Sequence, residues 1–200
     1  MSEPIHEASL DTIFREARSA NAWTDEPVSE AQIRAVYDLA RMGPTTGNSC
    51  PGRFLFLKKG EARDRLVPLM SEGNRQKTAD APWTVLIAHD LEFFDKIPTL
   101  FPSRPDMFDG MKGKDAVIGQ HVLRNSSLQG AYLMLAARSL GLDCGPMGGF
   151  DADGVNKEFF LSHEARKNWR INWICNIGHA QPPQFPRLPR LSFEEAAGIL

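Results

Sequence analysis

An α+β fold, with one central, mostly antiparallel sheet flanked by helices, is what this sequence predicts. Three observations predict it. Apolar runs at Arg53–Lys58, Thr84–His89 and Trp169–Ile177 read as strands, and well-marked helical patterns opening at Ser29 and near Val117 alternate with them. No repeat, low-complexity tract or Gly/Ser linker divides the chain, so residues 1–200 are expected to form a single domain with a sizeable core.

In chain order, Leu10, Ile13, Phe14 and Ala17 recur at helical spacing behind Ser9, which predicts a first helix over Ser9–Ala17 with Ser9 as its cap. Ser29-Glu30-Ala31-Gln32 is a capping box, in which hydroxyl and amide satisfy free backbone N–H groups. Ile33, Val36, Tyr37 and Ala40 carry the apolar stripe behind it, and Gly43-Pro44 stops the helix. Phe54-Leu55-Phe56-Leu57 forms the centre of the strand Arg53–Lys58, a short helix follows over Ala62–Met70, and Pro82 announces the strand Thr84–His89.

Leu91–Lys114 holds Pro98, Pro102 and Pro105 among Phe93, Phe94, Phe101 and Phe108, and reads as a broken helix and loop with much exposed aromatic area. The longest helix runs from about Val117 to Leu140. Its small residues, Ser127, Gly130, Ala131, Ala136 and Ala137, and its lack of a wide polar side place it centrally or at a subunit interface, and Gly141 ends it. Ile171, Trp173, Ile174 and Ile177 mark the third strand, closed by Gly178. Pro182, Pro183, Pro186 and Pro189 then give an extended C-terminal arm, about 179–200, whose Leu188, Leu191, Phe193 and Leu200 predict that it docks, most simply on a partner subunit.

Composition narrows the functional classes. With 23 basic and 25 acidic residues the formal charge is −2, which argues against a sequence-independent nucleic-acid binder. Cys50, Cys144 and Cys175 are widely spaced and form no zinc pattern; they read as reduced thiols of a cytoplasmic protein, and no metal site is expected. Met1–Asp11 lacks the apolar core of a signal peptide, and no apolar run is long enough to span a membrane. A nucleophile elbow, a P-loop and a Rossmann glycine pattern are all missing, so the side chains advertise no hydrolytic chemistry, and a borrowed cofactor is the natural alternative.

Four segments carry candidate chemistry. Arg18-Ser19 leaves a helix end with a guanidinium and a hydroxyl, donors that suit an oxyanion such as phosphate. Gly43–Gly52 packs glycines, hydroxyls and an amide between a helix and a strand, and could be a polar cradle or simply a turn. Leu140–Asp151 contains Gly148-Gly149, where a planar ligand could approach the backbone. Pro186–Leu191 carries Arg187 and Arg190 on a stiff arm, either a phosphate clamp or a solvated tail.

The order of these segments resembles the nitroreductase superfamily of FMN proteins along essentially the whole chain. Gly43-Pro44-Thr45, Ser71–Thr78, Arg124-Asn125-Ser126-Ser127, Gly145–Asp151 and Arg187–Ala196 carry the match, which is most similar to the malonic semialdehyde reductases of pyrimidine degradation. The resemblance implies an intertwined homodimer with an exchanged C-terminal arm, FMN as cofactor and NADH or NADPH as reductant. It implies hydride passed through flavin N5 to a small oxidised substrate, malonic semialdehyde giving 3-hydroxypropionate, with no catalytic side chain.

By the same resemblance Arg18, Ser19, Arg187 and Arg190 would hold the FMN phosphate, and Asn21, Asn74 and Lys77 would face the flavin pyrimidine. Pro44, Thr45, Thr46 and Asn48 would come from the other subunit, and Pro146, Met147, Gly148 and Gly149 would run along the ring near N5. Arg104 is a candidate for a substrate carboxylate. The chain departs from the family at Ala17 and Asn21, where basic residues are usual, at Cys50-Pro51-Gly52 in place of Gln-Pro-Trp, and at Gly148 in place of Glu. A broad nitro- or quinone-reducing enzyme and a non-catalytic flavin-binding protein are the alternatives.

Overall fold

The computed structural model describes residues 3–200. Four strands, β1 (Gly52–Lys58), β2 (Trp83–Asp90), β3 (Asp143–Met147) and β4 (Trp169–Gly178), form one antiparallel sheet in the order β1-β2-β4-β3. The helices are α1 (Glu7–Leu10), α2 (Glu30–Ala40), α3 (Glu61–Leu66), α4 (Glu72–Asp80), α5 (Ile97–Leu100), α6 (Asp115–Ser139), α7 (Ala152–Asn156) and α8 (Phe193–Ala196). Among the described residues no helix is long and apolar enough to cross a membrane.

Successive β2 side chains point to opposite faces. Val85 and Ile87 join Ile33, Val36 and Leu133 of α2 and α6 on one side, and Leu86 and Ala88 join Leu66, Met147 and Phe160 on the other. Burial on both faces explains why this strand reads as an unbroken apolar run rather than an alternating one. Each such side chain removed from water contributes roughly 1.5–3 kcal/mol before the entropy of ordering the chain is subtracted.

The Ser29 capping box forms as predicted, with Ser29 Oγ accepting from Gln32 N (3.2 Å) and Gln32 Oε1 accepting from Ser29 N (2.8 Å). The first helix starts earlier than predicted, at Glu7, because His6 Nδ1 rather than Ser9 caps it, accepting from Ala8 N at 3.2 Å. A π turn over Asp11–Arg15 follows, and Arg15 pairs with Glu7 and Asp11.

One further expectation is corrected. The aromatic residues of Leu91–Lys114 are not an exposed surface: Phe93 and Phe108 are buried with Ile97, Ile118 and Val122 in a satellite core, and the His121 ring stacks on Phe93 at 4.9 Å. Of the small residues of α6, Gly130 serves packing within the chain, since a Cβ there would lie 2.4 Å from the Trp173 ring, whereas Ser127 and Ala131 are exposed. On the outer side of α6, Val117, Leu123, Leu128 and Tyr132 remain exposed. The arm beyond Gln181 has no regular structure until α8, and its Phe185, Leu188, Leu191 and Phe193 are exposed in the single chain.

Candidate functional site

The segment after α1 runs beside the edge strand β3. Ser19 pairs with Cys144 as a single parallel bridge, and Ala20 N donates to Cys144 O at 2.9 Å. Only glycine allows this approach at position 145, because a Cβ there would lie 2.6 Å from Ala20 O. The bridge fixes Arg18, Ser19 and Asn21 at the rim of a groove of about 590 Å³, which Arg187 closes from the arm side. Arg18 Nη2 donates to Phe185 O (2.6 Å) and Arg187 Nη2 to Ala17 O (2.7 Å), so each guanidinium holds the other's segment. Neither forms an ion pair with a carboxylate among the described residues, so two guanidinium forks face one groove, whose lining also includes Glu16 and Asp143. Arg190 is not drawn into this set; its Nη1 donates to Leu188 O and Pro189 O of its own arm.

Next to the groove, α4 supplies an amide and an ammonium. Asn74 Nδ2 donates to Gly149 O (2.9 Å), and Lys77 Nζ donates to Asn21 Oδ1 (3.3 Å). Partial burial pushes the Lys77 ammonium below the usual lysine range. Trp23 and Asn176 hold the backbone beneath it, donating to Lys77 O at 2.9 and 3.1 Å. The structure thus gathers Asn21, Asn74, Lys77, Met147, Gly148 and Gly149 around one end of β3. A Cβ on Gly148 would meet nothing within 4 Å, so the turn offers an approachable backbone.

A second set of predicted residues lies elsewhere on the chain. In the loop holding Pro44, Thr45, Thr46 and Asn48, three residues have left-handed backbone: Gly47 (φ 55°), Asn48 (φ 49°) and Cys50 (φ 40°). For Asn48 and Cys50 this costs energy that side-chain bonds must offset. Asn125 Oδ1 accepts from Thr46 N (2.8 Å), Thr45 Oγ1 accepts from Cys50 N (3.1 Å), and the buried pair His121 Nε2 and Ser49 Oγ are 3.0 Å apart. Burial, then the charge of Arg124, keeps His121 below the usual histidine range. Asn48 Nδ2 donates to Leu100 O and Gly47 packs under Met107, so the Phe-rich loop with exposed Arg104 rides on this one. Asn48 lines a separate cleft of about 850 Å³ with Tyr37, Arg53, Lys96 and Gln129.

Trp23, Thr78, His121 and Asn176 support these groups yet were not singled out from sequence. His121 and Asn125 were the most accessible to prediction, since an i, i+4 pair on a predicted helix shares a face. Among the described residues no cluster of His, Cys, Asp or Glu has the makings of a metal site.

Comparison with known proteins identifies the family. Residues 14–179 match the model of the nitroreductase family. The chain is 49% identical over 192 residues, 96% of both chains, to a Ralstonia nicotianae protein that carries the name NADH dehydrogenase/NAD(P)H nitroreductase. It is 47% identical over the full length of both chains to a Rhodopseudomonas palustris protein of the same name. Among solved structures it superimposes on a nitroreductase-type protein of Exiguobacterium sibiricum, crystallised with FMN, with a TM-score of 0.85 at 20% identity and full coverage of both chains. The family match and the close relatives together place this chain in the nitroreductase family.

Proposed function

We propose that this protein is an FMN-dependent NAD(P)H oxidoreductase that works as a homodimer and reduces malonic semialdehyde to 3-hydroxypropionate. The observation that carries the cofactor is the pair Arg18 and Arg187, two guanidiniums without carboxylate partners on one groove, continuous with Asn21, Lys77, Asn74 and the open Gly148 backbone. That donor set fits FMN from end to end: cations and a hydroxyl for a phosphate, an amide and an ammonium for a pyrimidine edge, and a glycine turn for a flat ring. Relatives named as NAD(P)H nitroreductases and the FMN complex of a protein with the same fold support the reading.

When bound, FMN supplies a two-electron centre that can accept and later donate a hydride at N5. The chain's own residues bind and orient. Arg18, Ser19 and Arg187 anchor the charged end, with Arg190 reaching it once the arm is docked. Lys77 holds a positive charge where negative charge grows on reduction. Pro146 and Met147 set the height of the turn that faces the ring. No side chain is assigned a proton transfer.

The loop holding Pro44, Thr45, Thr46 and Asn48 lies away from the groove of Arg18 and Arg187, and its Asn48 lines a different cleft, which supports a site completed by the loop of a second copy. The exposed apolar arm supports the same pairing, and Arg104 would reach the substrate carboxylate from the second copy's Phe-rich loop. A cytoplasmic location belongs to this reading, supported by three free cysteines.

The test of substrate class is a comparison of kcat/KM for malonic semialdehyde and for a nitroaromatic with NADH and NADPH. Preference for the aldehyde by about two orders of magnitude is expected, on the scale set by recognition of a charged group. Equal or reversed preference makes this a broad nitro- or quinone-reducing enzyme, and FMN retention without any acceptor-dependent NAD(P)H oxidation makes it a flavin-binding protein.

A further inference from the structure

The helix that carries Asn74 and Lys77 is docked in an unusual way. α4 has the sequence Glu-Gly-Asn-Arg-Gln-Lys-Thr-Ala-Asp, and Thr78 is its only buried residue. With no apolar stripe to press against the sheet, its position depends on hydrogen bonds. Three buried side chains make them, one of them Trp23, whose Nε1 donates to Lys77 O. Arg63 donates to Thr78 O, Ala81 O and Leu57 O, tying the end of the helix to β1. Asn176, on β4 and fully buried, is the third.

Asn176 Nδ2 donates to Lys77 O (3.1 Å) and to Thr78 Oγ1 (3.3 Å), while Asn176 Oδ1 accepts from Thr84 Oγ1. Thr78 Oγ1 in turn donates to Met147 Sδ at 3.6 Å. The Asn176 amide therefore braces, from the β4 side, a helix that also reaches the Met147–Gly149 turn directly through Thr78 and Asn74. Its flanking core positions on β4 are Ile174, Cys175 and Ile177, all fully buried, and a buried amide among them costs about 1–3 kcal/mol unless every group is bonded. Here every group is bonded.

We propose that Asn176 is a positioning residue for Lys77: it sets the height of the ammonium and locks it to the Met147–Gly149 turn, so that both sides of the flavin are held as one rigid unit. This rests on the reading of Lys77 and Met147–Gly149 as flavin contacts. Lys77 faces the charge that appears on reduction, so Asn176 governs how much more tightly reduced FMN is held than oxidised FMN, and only secondarily how tightly FMN is held at all.

The experiment measures Kd for oxidised and for dithionite-reduced FMN under nitrogen in the full-length protein, with Lys77→Met, Asn176→Leu (of similar volume) and the double variant. The ratio of the two Kd values should fall about tenfold in Lys77→Met and at least about threefold in Asn176→Leu, with no further fall in the double variant, because both act through one ammonium. Equal weakening of both redox forms by Asn176→Leu, or additive ratios in the double variant, overturns the positioning role while leaving Lys77 as a flavin contact. An unchanged ratio in Lys77→Met overturns the flavin reading of Lys77 and this inference with it. Should Asn176→Leu fail to fold, Thr78→Val cuts the same link at its next bond; a ratio lowered about twofold supports the proposal and an unchanged one overturns it.

Discussion

Arg18 and Arg187, separated by most of the sequence, each donate a hydrogen bond to the backbone beside the other, at Phe185 O and Ala17 O. The arm is thus latched to the segment that begins the site, and the two guanidiniums line one groove with neither engaged in an ion pair among the described residues. Alanine at either position is expected to weaken FMN binding by roughly 10- to 100-fold, the worth of about 1.5–3 kcal/mol for a charge-assisted bond. Because each arginine also holds the other's backbone, the double variant should lose less than the sum. Flavin fluorescence titration of the two single variants and the double one checks this, and strict additivity would argue that the latch is incidental.

The glycines of the β3 turn are expected to differ sharply. Gly148→Ala places a methyl in open space and should leave stability within about 0.5 kcal/mol, whereas Gly145→Ala drives a Cβ against the Ala20 carbonyl and should cost on the order of 1–3 kcal/mol. Gly145→Ala should also loosen FMN, since the Ser19–Cys144 bridge is what brings Arg18 to the groove. Urea unfolding of both variants, read beside FMN affinity, separates the two.

Arg63 is fully buried, and desolvation lowers its pKa to about 10, which still leaves it charged at neutral pH. Its guanidinium donates to three carbonyls, so Arg63→Met should destabilise by on the order of 3–5 kcal/mol, with Arg63→Lys between the methionine variant and the native protein. Denaturant midpoints give the order directly.

His89 carries a pH signature. Burial, reinforced by the charge of Arg170 and opposed by Asp90, lowers its pKa to about 4. The unfolded chain binds this proton near the ordinary value of about 6.5, so stability from His89 is complete above that pH. It is lost progressively as pH falls to about 4, where the folded protein is protonated too. Allowing for the ring's partial exposure, the loss should be no more than about 2 kcal/mol. His89→Gln should flatten the stability curve between pH 6.5 and 4, and an unaltered curve would assign the acid lability to other groups.

How much of this was legible in the sequence depends on where apolar patterning does the work. β1, β2, β4, α2 and α6 were all readable, since each is positioned by burying a stripe or a run. β3 was hidden: Asp143-Cys144-Gly145-Pro146-Met147 has turn composition, and it pairs only because it is the sheet edge, where Pro146 is tolerated. α4 was hidden for the opposite reason, being polar throughout and held by Arg63 and Asn176. The aromatic residues Phe93 and Phe108 looked exposed because their partners Ile118 and Val122 lie on a helix that begins only after the loop ends. Of the site, the residue types were visible and the resemblance already set the Pro44–Asn48 loop apart from Arg18 and Arg187; the supports of each group, such as Trp23, Thr78 and Asn176, were not, because they depend on where the chain crosses the sheet edge.

The arm provides a prediction about assembly. Removing the residues after Gly178 takes away Arg187 and every exposed apolar side chain of the arm, and should abolish both stable pairing and FMN retention. Light scattering and the visible spectrum of the truncated protein check the two effects separately. A colourless but well-paired truncation would show that the arm serves the cofactor alone.

The most direct test of the central claim is the visible spectrum of the purified full-length protein, recorded with its mass in solution and again after NADH or NADPH is added under nitrogen. The account predicts a yellow dimer with one FMN per chain that bleaches on addition of the reductant. A colourless monomer that neither binds added FMN nor bleaches would contradict it.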